Sequence, residues 1–187
     1  MFSRILPVET GGNIMSEITT VVLDAMGGDN APAAMIDGAI DAISKEKNVK
    51  VILVGIEDVI RKGLEGKTYN PEQIEIVNAT EVIETAEPPV HAIRRKKDSS
   101  IVVGMKLVKE GKADAFVSAG SSGAILVGGQ VIVGRIKGVD RAPLAPLIPT
   151  EKGVSLLIDC GANVDARPAH LLQFAKMGPS IWRMFLV

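Results

Sequence analysis

Four short segments concentrate the residue types that do chemistry. The first, Asp24-Ala25-Met26-Gly27-Gly28-Asp29-Asn30-Ala31-Pro32, places two glycines between acidic and amide side chains. Gly27 and Gly28 let a backbone come close to a ligand. Asp29 or Asn30 can cap a following helix whose first turn suits Pro32. It reads as a ligand loop or as a tight turn with a good cap. The second, Ser118-Ala119-Gly120-Ser121-Ser122-Gly123-Ala124, offers amides and hydroxyls to an anion at a helix start. No Lys follows its glycines, so it is not a P-loop, and its spacing is not the dinucleotide G-x-G-x-x-G. Its plain alternative is a serine cap with glycines for packing. In the third, Asp159-Cys160-Gly161-Ala162-Asn163-Val164-Asp165, the side chains of Asp159, Asn163 and Asp165 either hold polar groups of a substrate or tie the loop down as Asx turns. The fourth, Arg94-Arg95-Lys96-Lys97-Asp98-Ser99-Ser100, is a solvated cationic face, a dock for an acidic partner, or a phosphate contact. Asp98 or Ser99 can cap the helix after it.

Nucleophile constellations are missing. There is no G-x-S-x-G elbow. Cys160 adjoins an apolar run and reads as a small buried residue rather than a catalytic thiolate. His91 and His170 lie far apart in sequence without a triad partner, and His170 is expected to pack or cap near a helix start. With two histidines and one cysteine, a His/Cys zinc site is not expected. Neither a metal nor a cofactor is assigned.

These segments must be held by regular elements, and the composition says which. The chain has 187 residues, 47% of them hydrophobic and 3% aromatic. At that length folding removes roughly 70% of the unfolded chain's surface from water, enough for a core without staples. Its Lys+Arg count of 21 against Asp+Glu 22 gives a net charge of -1, so no basic field points to nucleic acid. A single cysteine fits a reducing compartment. The uncharged run 115–134 is about as long as a bilayer-spanning helix, roughly 20 residues. Its central serines and glycines make a buried strand, a glycine turn and a buried helix the better reading. The N-terminus lacks the apolar core of a signal peptide.

Apolar spacing alternates between strand and helix periods. Strands are expected at 21–24, 49–55, 74–78, 115–118, 144–148 and 155–159. Helices are expected at 31–47, 57–64, 99–110, 122–136 and 169–176. Strands separated by helices of this length imply right-handed crossovers and a mostly parallel sheet covered on both faces. Ligands of such a sheet bind at the carboxyl ends of its strands, where the four segments fall. Residues 1–14 lack this patterning and are expected to be a translated leader ahead of Met15.

At the four segments the chain resembles the phosphate:acyl-acyl carrier protein acyltransferases (PlsX type) of bacterial phospholipid synthesis. The matching stretches are VVLDAMGGDNAP, AIRRKKDSSIVVGMKLVKEGKADAFVSAGSSGA, VGRIKGVDRAPLAP and DCGANVDARPAHLLQFAKMG, spread over residues 18–178. The resemblance implies a three-layer α/β/α sandwich, a homodimer, cytoplasmic residence with peripheral membrane attachment, and formation of acyl phosphate from acyl carrier protein thioester and inorganic phosphate. Three departures stand out: Ser121-Ser122 where the family usually has Asn-Thr, His91 where it tends to carry a basic residue, and an end to the resemblance at Gly178. Residues 15–178 therefore read as the first part of a longer α/β domain, with 179–187 as an aberrant tail from a truncated or shifted reading frame.

On this reading Ser121 and Ser122, in the Gly120–Gly123 loop with Ser118, bind phosphate or the oxyanion, with Lys97 and Asn163 as further catalytic candidates. Asp24, Gly27, Gly28, Asp29 and Asn30 are expected to form the opposite wall, assisted by Arg141, Asp159 and Asp165. Arg94, Arg95 and Lys96 would meet the acidic carrier protein. Two rivals are a decarboxylating-dehydrogenase-like nicotinamide enzyme and an inactive phosphate-binding fragment.

Overall fold

A computed structural model describes residues 18–185; the leader expected at 1–14 lies outside them. Four strands form one parallel sheet in the order β3-β2-β1-β4: β1 (Thr19–Asp24), β2 (Val49–Gly55), β3 (Ile74–Asn78) and β4 (Ala115–Val117). Register is fixed by the side-chain period of two. Leu23, Val51 and Leu53 face α1 (Ala33–Lys45) and α2 (Glu57–Leu64), where Ile36, Ala39, Ile43, Ile60 and Leu64 close one core. Val22, Ile52 and Val54 face the other way, against Val103, Leu107 and Val108 of α4 (Ser100–Lys109). A second cluster on that side joins Ala92 and Ile93 of α3 (Pro89–Arg95) to Ala124 of α5 (Ser122–Gly128). Helices thus lie on both faces of the sheet, as its runs of Val, Ile and Leu require, while beside β4 the α1 face leaves Val117 half exposed over a groove lined by Leu23 and Met35.

Helix ends follow the sequence in one case and not in another. Ser99, fully buried, caps α4 by accepting from the Val102 amide at 3.4 Å. Its neighbour Asp98 instead accepts the Thr80 amide and hydroxyl. The expected cap of α1 by Asp29 or Asn30 does not form: Pro32 occupies the cap position with no side-chain bond. The turn is closed by backbone, with the Ala34 amide donating to the Asn30 carbonyl at 3.0 Å. The helix expected over 122–136 is α5 followed by a wider turn at Gly129–Val133.

The largest departure lies at 144–159. Instead of two further strands of the parallel sheet, β5 (Leu147–Thr150) and β6 (Gly153–Leu156) pair with each other, antiparallel, in a separate hairpin. The physical reason is in the sequence: Pro143, Pro146 and Pro149 recur every third residue, each removing the amide that a central strand must donate. A two-residue turn at Glu151-Lys152, with Gly153 at φ +131°, reverses the chain. The last helix, α6 (Pro168–Phe185), continues beyond the expected end at 176 and carries Pro179 inside it.

A candidate anion and acyl site at the switch point

The strand order 3-2-1-4 makes the chain leave β1 in one direction and return to its other side at β4. Loops at the carboxyl ends of strands flanking such a reversal diverge and leave a crevice. Here the two loops are those after β1 and after β4, which carry the first two segments.

The loops touch through glycine. A Cβ on Gly27 would lie 2.5 Å from Asp24 Oδ2, 2.8 Å from Ser118 Oγ and 2.9 Å from the Gly120 amide nitrogen. Only a hydrogen fits there. Gly28, at φ +104°, backs onto Ala119, a conformation that side chains other than glycine's rarely adopt. Asp24 is 1% exposed. It accepts the Met26 amide at 3.1 Å and the Ser118 hydroxyl at 2.7 Å, and Ser118 Oγ in turn accepts the Gly120 amide at 3.0 Å. Ser121 is the cap of α5, its hydroxyl accepting the Ala124 amide at 3.3 Å.

Two assignments change as a result. The Gly120 amide and the Ser121 side chain are occupied within the loop, so neither is open to a ligand in the way expected. Ser122 and Gly123, at the start of α5, line a cavity. Asp24 is not a wall of the site: it is a buried tie behind Ser118, with Gly27 packed over it. Asp29 and Asn30 are exposed.

In front of this loop lies a cavity of about 580 Å³, within the range usual for small-molecule sites. Its polar lining is Ser118, Ser122 and Gln130. The side walls are Ile125 and Leu126 of α5, faced by Ala142, Leu144, Cys160 and Ala162. The far wall therefore comes from the segments around the hairpin, not from the β1 loop. Ile125, Leu126, Gln130 and Leu144 were not singled out from sequence. Their signal was the long uncharged run through α5 beside a proline-spaced apolar segment. Cys160 is half-buried and lines this wall rather than sitting in the core.

The third segment is a set of ties. Asp159 accepts the Leu144 amide at 2.6 Å and the Asn163 amide at 2.8 Å. The Asn163 side chain donates to the Ala142 carbonyl at 3.1 Å. Arg141 makes a two-pronged pair with Asp165, at 2.6 and 3.0 Å. The guanidinium first as hydrogen-bond donor and then as charge holds the Asp165 carboxyl below the usual carboxylate value. These groups fix the wall that carries Leu144 and Cys160. Their hydrogen bonds are made to one another, so the structure brings them beside the cavity as supports, and the catalytic assignment of Asn163 finds its amide engaged. His170 is buried, and its Nδ1 accepts the Arg167 amide at 3.1 Å, capping the start of α6 as expected.

In the basic segment, Lys96 is held by the Glu87 carboxylate and the Val82 carbonyl. That contact, with the Glu84 amide, lowers the Glu87 carboxyl. Lys96 is thus a strut of the fold and not a free cation. Lys97 is exposed, its ammonium donating to the Ile93 carbonyl at 3.2 Å, and it does not line the cavity. Arg94 and Arg95 are exposed at the end of α3. The start of that helix packs on the site: a Cβ at Gly123 would meet Pro89 Cγ at 2.7 Å. Among the described residues no group of His, Cys, Asp and Glu is placed to hold a metal ion, and no helix is long and apolar enough to cross a membrane.

Parallel sheet, strand order and glycine-tied loops define an α/β protein with a cavity beside the loop after β4. Comparison with known proteins narrows the class: the model of the "Fatty acid synthesis protein" family matches residues 19–184, and the chain belongs to that family. The match runs past Gly178, where the resemblance had been expected to stop. A phosphate acyltransferase of Alkaliphilus oremlandii is 51% identical over 158 residues, 84% of this chain and 47% of that protein. One from Clostridioides difficile is also 51% identical, over 84% of this chain and 46% of its own length. The chain thus spans about half the length of the curated relatives it matches. Among solved structures, a phosphotransacetylase from Streptococcus pyogenes superimposes with a TM-score of 0.66 at 19% identity, covering 90% of this chain and 55% of that one. The EutD phosphotransacetylase of Staphylococcus aureus gives 0.56 at 21% identity, over 86% and 52%. Both are likenesses of fold.

Proposed function

We propose that the chain carries the phosphate and acyl site of an enzyme that moves an acyl group from an acyl carrier protein thioester to inorganic phosphate, making acyl phosphate for phospholipid synthesis. The observation that supports this most directly is the pairing of chemistries in one cavity. Ser118 and Ser122 line it where α5 begins, and Ile125, Leu126 and Leu144 line it as an apolar wall. An anion at the first and an acyl chain along the second meet where a thioester carbonyl must be attacked.

The reaction needs no side-chain nucleophile. A phosphate oxygen adds to the thioester carbon, a tetrahedral oxyanion forms, and the carbon–sulfur bond breaks to release a thiolate, whose conjugate acid has a pKa of about 8.5. The protein's part is positioning, which can supply roughly 7–11 kcal/mol, and oxyanion donors, about 3–4 kcal/mol each. Arg94 and Arg95, exposed at the end of the helix that packs on the α5 start, are where an acidic carrier protein would dock. A homodimer and peripheral attachment to a membrane in the cytoplasm belong to the same reading. On that reading much of the dimer surface and the membrane-binding helix belong to the part of the family's length that this chain does not span.

The test is to trap acyl phosphate with hydroxylamine from acyl carrier protein thioester and phosphate, using this chain and, in parallel, a relative of full length. Ser122→Ala in the active protein raises the phosphate concentration needed for half-maximal rate. An unchanged phosphate requirement removes the assignment. Phosphate binding without turnover by either protein leaves a binding module in place of an enzyme.

A further inference from the structure

Ser118 has a restricted hydrogen-bonding repertoire at the cavity. A serine hydroxyl has one hydrogen and two acceptor sites. The hydrogen is committed to Asp24 Oδ2 at 2.7 Å, and a carboxylate is the strongest acceptor a hydroxyl can find. One acceptor site holds the Gly120 amide at 3.0 Å. Ser118 lines the cavity, and the one hydrogen-bonding site left on its oxygen is an acceptor. Asp24 is 1% exposed and, with Gly27 packed over it, is locked in place, so the hydroxyl cannot turn its hydrogen outward without leaving a buried carboxylate short of a partner. Such a loss is costly.

We propose that Ser118 determines anion specificity: its outward lone pair accepts from the protonated oxygen of hydrogen phosphate and repels an oxyanion that has no hydrogen, so the site prefers phosphate to sulfate. The inference rests on the phosphate reading above and adds a chemical class to it, an oxyanion with at least one P–OH. Near neutral pH inorganic phosphate always retains a proton, whereas sulfate presents only acceptors. An acceptor facing an acceptor forfeits a hydrogen bond and adds repulsion. Holding the protonated oxygen at Ser118 also leaves the ionised oxygens for the Ser122 side of the loop, where attack on the thioester takes place. Ser118 binds the anion, and Asp24 acts through it as a positioning residue.

The experiment is calorimetric titration of the full chain with inorganic phosphate and, separately, with sulfate. The variants are Ser118→Ala, Ser118→Thr, Asp24→Asn and Ser122→Ala, each checked for fold by circular dichroism. Wild type is expected to bind phosphate about tenfold or more tightly over sulfate, the effect of one well-placed hydrogen bond. Ser118→Ala loses about tenfold for phosphate and nothing for sulfate. Ser118→Thr restores the preference, because it keeps the hydroxyl. Asp24→Asn can donate its amide to Ser118, turn the hydroxyl hydrogen outward and raise sulfate affinity. If that variant unfolds, the Ala and Thr pair decides. Equal loss of both anions in a folded Ser118→Ala, or an unchanged phosphate-to-sulfate ratio, overturns the proposal. If Ser122→Ala weakens phosphate while that ratio holds, the specificity role alone fails. If phosphate affinity ignores both serines, or is absent from wild type, the anion site itself is wrong and both readings fall.

Discussion

Gly27→Ala tests whether the two loops are locked together by close approach. The added methyl would sit 2.5, 2.8 and 2.9 Å from Asp24 Oδ2, Ser118 Oγ and the Gly120 nitrogen, each half an ångström or more inside ordinary contact. None of the three can swing away as the far end of a flexible chain, because they are bonded to one another. Relief requires the β1 and β4 loops to part. That stretches the one charge-assisted bond between the loops, Ser118 to Asp24, worth about 1.5–3 kcal/mol and within the usual range for overpacking. A loss of about 2 kcal/mol is expected, which for a domain of this size lowers Tm by roughly 4–8 °C. The control is Gly38→Ala, an exposed α1 position where a Cβ meets nothing within 4 Å; it should gain up to about 1 kcal/mol by helix propensity. Thermal unfolding of both beside wild type, with phosphate titration of the folded variants, reads the effect. A Gly27→Ala protein melting within about 2 °C of wild type and binding phosphate normally would falsify the close contact on which the site's geometry depends.

Other expectations follow from single contacts. Ser121→Ala removes the α5 cap and should cost about 1 kcal/mol in urea unfolding, separately from any effect on phosphate. Gly129→Leu places a side chain in open space on the cavity wall at a helical backbone position, so long-chain acyl ligands should bind more weakly while phosphate affinity is unchanged. Cys160 lines that wall, and a bound acyl chain should slow its alkylation by maleimide; equal rates with and without ligand would place the chain elsewhere. Asp165 has its carboxyl held below the ordinary 3.8 by Arg141. A folded-state value below the unfolded one gives stabilisation that is present above the unfolded value and lost as pH falls through the folded value. Asp165→Asn should therefore differ from wild type in stability at pH 5–8 and converge with it in acid below about 3.8.

The parallel sheet was legible because its strands are buried on both faces and so read as short apolar runs between helical periods. The corners at Gly27 and Gly120 were legible as neighbours on one rim because each follows a strand of the parallel sheet. What spacing could not convey was direction. Asp24 looks like a ligand on paper, yet a carboxylate at a strand end can face inward, and the 1% exposure of Asp24 goes with a partner, Ser118, 94 positions away in sequence. Arg141 and Asp165 carried the same ambiguity: an acid and a base beside a crevice suit a substrate and suit each other equally well. The hairpin was misread for a different reason. Apolar content at 144–148 looked like a strand, but three prolines at a period of three had already excluded a central one. Weighing missing amides before apolar content would have found it, and with it the wall that carries Leu144 and Cys160.

The site's rigidity has to come from side chains, because β4 is only 3 residues long and lies at the sheet edge. Two carboxylates clamp it against β1, one beyond each end. Before the strand, Asp114 Oδ2 accepts the Thr20 amide at 2.8 Å while the Asp114 amide donates to the Thr20 carbonyl at 2.8 Å. After it, the Ser118 hydroxyl donates to Asp24. The same interaction that ends the strand thus holds the loop that carries Ser118, so strand pairing and the geometry of the proposed site share a free energy. Asp114→Ala removes the outer clamp, 94 residues in sequence from its partner Thr20. If the two clamps act together, it should weaken phosphate binding although Asp114 lies at the opposite end of the strand from the cavity. Faster amide exchange at Ala115–Val117 with intact phosphate affinity would show instead that the Asp24 tie holds the loop alone.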